Sequence, residues 1–407
     1  MIFIIDSFWP LYSLILGSEH FLLFLVIYNY REMKFCMFTK QPEPLYSSLP
    51  VDYLISIIMP AYNAGAYIQA AIHSVLTQTY LHWELIIVND HSSDNTESVI
   101  QAFKDHRIHY YLAPYHFGKP STARNYAVQY ACGQFVFFLD ADDILLAGAL
   151  ENIVQYVKSH PGMMAAYGFN TQINEHGQPI PFAGFKLVPC QDGSYQLPEN
   201  YKHTWERIVC FKFVASATIV VRKNIFEELG GFDEVLDAAE DMQLYFKLFL
   251  KSLDLVGIIP QYLVAYRQHP TSLTKTHGKA EKLLQAHLKM TDWLFSNPQL
   301  PQHCIKYRPF AISKAYNHAA GVRLSQGYRQ QACHLLFRGL VDKRSSLKNW
   351  LKVCPTTLLR CILPTNWDTQ LKSVVINLRD GVLKAKLKQL RDKEISFNVF
   401  LSELTSI

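Results

Sequence analysis

Three aspartates, Asp140, Asp142 and Asp143, follow directly on the apolar run Phe135-Val136-Phe137-Phe138-Leu139. The run has the composition of a buried strand, so the carboxylates stand at its carboxyl end. Like charges this close repel one another, and a cation among them would offset the repulsion. Asp140 and Asp142 are two residues apart, and at a strand end such side chains project the same way. Their hard oxygens suit Mg2+ or Mn2+, ions that keep coordination positions for water and phosphate. Taken alone, Asp-x-Asp is also a common solvated turn, and Asp143 is placed to cap a following helix. A second acidic pair, Glu240-Asp241, opens a segment of helical periodicity, where it complements the helix dipole.

The elements that would position these groups alternate regularly. The segment 53–59 (YLISIIM) is a buried strand, ended by Pro60, and Ile68, Ala71, Ile72 and Val75 recur at helical spacing after it. Residues 84–90 form a second strand, and Ser93 or Asp94 caps a second helix. Residues 107–112 form a third strand. The segment KPSTARNYAVQYA is a helix entered through proline, and QFVFFLD is the fourth strand. Continuous apolar strands alternating with helices predict an α/β fold: a mostly parallel, Rossmann-like sheet covered on both faces. Ligands bind such sheets at the carboxyl ends of the strands. There the sequence places Pro60, Tyr62 and Asn63, then Asn89 and Asp90, then Gly118 and Lys119, then Asp140 and Asp142. Further strands are expected at 217–223 and 261–269, with a helix at 238–250. Beyond 278 the periodicity is helical.

The chain has 407 residues and a net charge of +5. Residues 279–393 hold 21 Lys and Arg against 6 Asp and Glu, so the rest of the chain is acidic. Three regions follow: 1–50, a hydrophobic segment and Pro/Ser linker; 51–278, the α/β domain; and 279–407, a basic, mainly helical region. The basic region reads as a packed helical subdomain, or as a surface for anionic membrane or acceptor; 347–364 mixes Trp, Leu and Lys as interfacial helices do. It has no nucleic-acid-binding pattern. The eight cysteines form no C-x-x-C pair and read as reduced, buried thiols of a cytoplasmic protein. The apolar residues before Arg31 are broken by Asp6, Glu19 and His20. They are a weak anchor to the cytoplasmic face of the inner membrane or a translation start placed too early, Met33 and Met37 lying just downstream.

The ordered set ISIIMPAYNAGAYIQ, ELIIVNDHSSDNT, GKPSTARN, FVFFLDADD and GGFDE…AAEDMQLYFKL resembles family 2 glycosyltransferases of the GT-A fold, over about 54–275. The resemblance implies that Pro60, Tyr62 and Asn63 frame a uridine and that Asp90 accepts a hydrogen bond from the base. It implies that Arg124 reaches toward the nucleotide, and that Asp140 and Asp142 bind nucleotide and metal. His269 then completes the metal shell or touches the diphosphate, unless it is a structural histidine. Asp241 matches the general base that deprotonates an acceptor hydroxyl for in-line attack and inversion. The chain departs from the family pattern at Asn89, where an aspartate is frequent, and at His116-Phe117. The implied reaction moves a sugar from a nucleotide sugar, most simply a UDP-sugar, with Mn2+ or Mg2+, to a glycan or lipid-linked acceptor in polysaccharide synthesis. Two other readings share parts of this pattern. A sugar nucleotidyltransferase would carry a Gly-rich basic loop where Pro60-Ala61-Tyr62-Asn63 stands. A non-catalytic nucleotide-sugar-binding scaffold would have lost acidic residues, yet Asp90, Asp140, Asp142 and Asp241 are all present. Lys119 reads as solvated, Tyr80 and Trp83 as core, and Trp205 as core or as a sugar-stacking residue.

Overall fold

A computed structural model describes residues 52–181, 187–190, 195–198, 204–209, 218–236, 238–270 and 279–354, with 357, 358, 361 and 389 beyond. The hydrophobic segment 1–50 lies outside the described residues, as do 362–388 and 390–407. The strands are β1 (Ile55–Ala61), β2 (Trp83–Asn89), β3 (Ile108–Leu112), β4 (Phe135–Phe138), β5 (Ile144–Leu145), β6 (Ala165–Asn174), β7 (Val188–Pro189), β8 (Tyr195–Gln196), β9 (Ile219–Arg222) and β10 (Val256–Gln268). Eight of them form one sheet in the order β3-β2-β1-β4-β9-β6-β10-β5, and β7 and β8 pair separately. The pairs β1–β2, β1–β4, β2–β3 and β6–β10 are parallel. β9 is antiparallel to β4 and β6, and β5 is antiparallel to β10.

The continuous apolar strands resolve into two faces. Ile58, Ile86, Val88, Val136 and Phe138 enter one core, while Ile55, Ile57, Met59, Leu85, Ile87, Phe135 and Phe137 enter the other. This is the period-two alternation of a strand buried on both sides. The helices that cover those faces are α1 (Ile68–Leu76), α2 (Thr96–Gln101), α3 (Pro120–Val128), α4 (Ala149–Ser159), α5 (Trp205–Val209), α6 (Lys223–Glu228) and α7 (Glu240–Lys251). α1 buries Ile68, Ala71, Ile72 and Val75, the apolar stripe its spacing predicts. Pro60 does not end β1: it pairs with Val88, and β1 runs on to Ala61. Pairing with β4 has stopped two residues earlier, at Ile58, so no bond to that strand is lost at the proline.

The helical region comprises α8 (Lys279–Ser296), a 3-10 turn Gln302–Tyr307, α9 (Arg308–Ser325), α10 (Arg329–Val341) and α11 (Leu347–Val353). Met290, Leu294 and Ala311 join the same core as α7, while Leu284, Ile312, Leu336 and Trp350 form a third core of their own. Trp350 is buried and donates its indole N–H to the Leu336 carbonyl at 2.8 Å, so its ring is packed inside rather than offered to a membrane. Cys304, Cys333, Cys354 and Cys361 are buried thiols, whereas Cys132 is exposed. Among the described residues no helix is long and apolar enough to cross a membrane.

Candidate functional site

The carboxyl ends of β1, β2 and β4, the start of α7 and the end of β10 supply the site. Asp140, Asp142 and Asp143 come together there, with one carboxylate oxygen of each within 4.8 Å of the others. Asp142 Oδ2 lies 2.8 Å from His269 Nε2. The His269 ring packs at 4.6 Å on Tyr67, and the Arg267 guanidinium lies 5.1 Å from that same ring. Arg267 Nε donates to the Asp142 carbonyl at 2.7 Å, which fixes the turn that presents the acids.

Asp143 is not a helix cap. It is fully buried, and its Oδ1 accepts the Arg267 backbone N–H at 2.8 Å. The following helix, α4, starts instead from Gly148 in the left-handed region. Asp143 Oδ2 is buried with no hydrogen-bond partner among the described residues. Burial, and then the charges of Asp142 and Asp140, push the Asp143 carboxyl well above the usual range. Burial and the Asp140 charge also raise Asp142, and His269 opposes this. Three carboxylates this close, with His269 beside them, offer the hard oxygens that a divalent cation takes. The residues therefore fit a Mg2+ or Mn2+ ion.

Arg124, on α3, is the cation that the structure does supply. It is buried, with Nη2 2.5 Å from Asp140 Oδ1 and Nη1 3.1 Å from Glu240 Oε1. Burial works against its charge, but Asp140, Glu240 and Asp241 together outweigh that and hold it protonated. The ring of Phe232 lies 5.5 Å from the guanidinium. Arg124 thus links the acids after β4 to the first turn of α7. Asp241, the second residue of α7, accepts the Met242 N–H at 2.7 Å. Burial, then Glu240, pushes its carboxyl up to about 6, against the pull of Arg124. A carboxylate tuned there is ionised at neutral pH and basic enough to take a proton.

The loops after β1 and β2 meet at Asn63. Its backbone is left-handed, at φ 48°, a conformation asparagine tolerates. Its N–H donates to Ser92 Oγ at 2.9 Å, and its Oδ1 accepts the Ser93 N–H at 2.8 Å. Asp90 is buried, and both its oxygens hold the loop after β3: Phe117 N–H donates to Oδ1 at 2.5 Å and Gly118 N–H to Oδ2 at 2.9 Å. His116 Nδ1 lies 2.9 Å from the Asp90 carbonyl, and its ring packs at 4.9 Å on the exposed Tyr62. Asn89 donates to Tyr110 Oη at 3.2 Å and accepts the Ser92 N–H at 2.9 Å; an aspartate there would have to accept from the Tyr110 hydroxyl instead. Lys119 is not merely solvated, because its Nζ donates to the Glu234 carbonyl at 2.9 Å. Trp205 packs against the core shared with α7, and Tyr80 and Trp83 are buried. Sequence reasoning missed Tyr67 and Asn125; a tyrosine at the first helix start and an asparagine beside the site arginine were the signals available.

With this geometry in place, residues 56–215 match the family model described as Glycosyl transferase family 2. That stretch of the chain is similar to the family. Among its relatives, the protein described as the UDP-Glc:alpha-D-GlcNAc-diphosphoundecaprenol beta-1,3-glucosyltransferase WfgD of Escherichia coli is 47% identical over 126 residues. That match covers 31% of this chain and 49% of WfgD, so the chain spans about half the length of that relative. The putative teichuronic acid biosynthesis glycosyltransferase TuaG of Bacillus subtilis is 27% identical over 271 residues, covering 63% of this chain and 97% of TuaG. Among solved structures, S. aureus TarS 1–349 in complex with UDP-GlcNAc aligns with a TM-score of 0.55 at 17% identity, over 84% of this chain and 93% of that one. At that identity the likeness is one of fold.

Proposed function

We propose that this chain is a family 2 glycosyltransferase, metal-dependent and inverting, that moves a sugar from a UDP-sugar to a hydroxyl of a glycan or lipid-linked acceptor in cell-surface polysaccharide synthesis. One observation carries the reading: Arg124 ties Asp140, in the cation-demanding acidic cluster, to the start of the helix that carries Asp241. A diphosphate site and a proton acceptor held in fixed relation are what transfer between a nucleotide sugar and a hydroxyl requires. The names of relatives point the same way, since WfgD uses a UDP-sugar and a diphosphate-linked lipid acceptor, and TarS was solved with UDP-GlcNAc.

In this account Pro60, Tyr62, Asn63 and Asp90 shape the place of the uracil. The exposed Tyr62 ring offers it a face, and Asp90 acts chiefly by holding the loop 116–118, each oxygen keeping a second lone pair for a base N–H. Asp140, Asp142 and His269 would hold the divalent ion, with the buried Asp143 carboxyl behind them. When bound, the ion neutralises charge growing on the departing diphosphate. Asp241 takes the acceptor's proton, and attack from the face opposite the leaving group inverts the anomeric carbon. Glu240 is engaged by Arg124 and is not the base.

Thermal unfolding with UDP, GDP and ADP, each with and without Mn2+, tests the binding half of this reading. UDP with Mn2+ should stabilise the protein by about 2.7 kcal/mol at a hundredfold excess over Kd. The gain should vanish in Asp142→Asn and be small for GDP and ADP. Equal shifts for all three nucleotides, or no dependence on Mn2+, would contradict it.

A further inference from the structure

The base-bearing helix α7 is preceded by a loop, Gly230–Glu234, that is tied to α3 by side-chain hydrogen bonds. Asn125, the neighbour of Arg124, makes three hydrogen bonds to that loop. Its Nδ2 donates to the Phe232 carbonyl at 2.9 Å and to Glu234 Oε1 at 2.8 Å, and its Oδ1 accepts the Phe232 N–H at 3.0 Å. The amide therefore pairs with both backbone groups of Phe232, as a strand neighbour would. The approach is close enough that a Cβ on Gly231 would lie 2.6 Å from Asn125 Oδ1, and Gly231 sits at φ +63°. From the same helix start, Lys119 Nζ donates to the Glu234 carbonyl at 2.9 Å.

The other side of the loop is fixed to α7. Gln243 Nε2 donates to Asp233 Oδ2 at 3.0 Å, and Lys247 Nζ donates to the Leu229 and Gly231 carbonyls, each at 3.1 Å. Contacts thus run from α3 through the loop to α7, and Arg124 closes the same circuit on the site side through Asp140 and Glu240. Arg124 holds the first turn of α7 at one point, Glu240, while the buried Leu244, Tyr245 and Phe246 anchor the rest of the helix. A second attachment one residue away fixes the approach to that first turn.

We infer that Asn125 is a positioning residue: by clamping the Gly231–Glu234 loop to α3 it fixes the first turn of α7, and with it Asp241, relative to the donor-binding acids. It touches no substrate. The inference rests on the transferase reading above, in which Asp241 must meet an acceptor held over the donor, and misplacement of such a group by about 1 Å costs on the order of 100-fold in rate.

The experiment compares wild type with Asn125→Ala and with Asn125→Asp, which keeps the acceptor for Phe232 N–H and loses both donated bonds. Hydrogen–deuterium exchange is followed over 231–243, and kcat and donor KM are taken from UDP release. Faster exchange confined to 231–243 is expected in both variants, with kcat lowered by about 10- to 100-fold and donor KM within about threefold of wild type. Unchanged exchange at 231–243 overturns the inference, as does faster exchange with wild-type kcat, or a loss confined to donor KM. Exchange needs no turnover, so a wild type that releases no UDP from any donor counts against the transferase reading while exchange still decides the clamp.

Discussion

On the proposed reading the chemistry turns on Asp241 and Arg124, and each has its own test. A base must be ionised to accept a proton, and the Asp241 carboxyl is pushed up to about 6. Activity is therefore expected to be full above that pH and to fall about tenfold per unit below it, because protonation removes the acceptor. A kcat–pH profile flat down to pH 4 would remove Asp241 from the role. Arg124 is buried between two carboxylates, so Arg124→Met leaves Asp140 and Glu240 facing each other without a cation. A loss of about 3 kcal/mol in unfolding free energy is expected, read from the shift of the urea midpoint, because breaking a buried pair strands its partners. A shift smaller than that of an ordinary surface substitution would mean the guanidinium is not holding the two acids together. The sequence showed Asp140 and Asp142 because a charged pair breaking an apolar strand is visible locally. It did not show the place of Asp143, whose partner, the Arg267 N–H, is 124 residues away, nor that of Lys119, whose partner carbonyl is 115 residues away. Contacts between distant elements leave no trace in local spacing.

At the scale of elements, the strands were legible where both faces are apolar, and less so where pairing is short. β1 to β4 are runs that alternate between two cores, and their periodicity and flanking turns located them within about two residues. β5 is only two residues long and takes its identity from pairing with Val264 and Ala265 of β10. Pro60 misled for a physical reason: a proline ends a strand only where its N–H is needed, and β1 has lost its β4 neighbour by then. Close approaches of backbone were equally hidden. Gly133 enters β4 under β1, where a Cβ would meet the Leu54 carbonyl at 2.5 Å and Ser56 Oγ at 2.6 Å. The same turn is held by the buried Glu84, which accepts Ser56 Oγ–H at 2.6 Å and the Gly133 N–H at 3.1 Å. Gly133→Ala should cost about 1–3 kcal/mol, since the backbone of β1 cannot swing aside. Chemical denaturation would measure it, and donor KM should stay unchanged because this turn is at the opposite end of β4 from the acids. An alanine variant as stable as wild type would show that the strands are less closely set than described.

Over the whole sequence, charge is unevenly divided. Asp90, Asp140, Asp142 and Asp143 stand at the carboxyl ends of strands, and the Lys and Arg excess lies after residue 278. The helical region shares a core with α7 through α8 and α9, so it supports the element that carries Asp241. The acidic cluster makes a demand that the described side chains do not fully meet, because Arg124 reaches Asp140 and His269 reaches Asp142, while Asp143 Oδ2 stays unpartnered. Chelation is therefore expected to abolish turnover, and added Mn2+ to restore it. The central claim joins that cation site to Asp241 in one transfer reaction. Its most direct test is UDP release from UDP-glucose and a panel of other UDP-sugars, with Mn2+ and a diphosphate-linked lipid acceptor, by wild type and Asp241→Asn. Acceptor-dependent release by wild type, reduced by about 100- to 10,000-fold in the variant with UDP affinity retained, is the predicted result. Equal release by both proteins, or none from any donor, would contradict it.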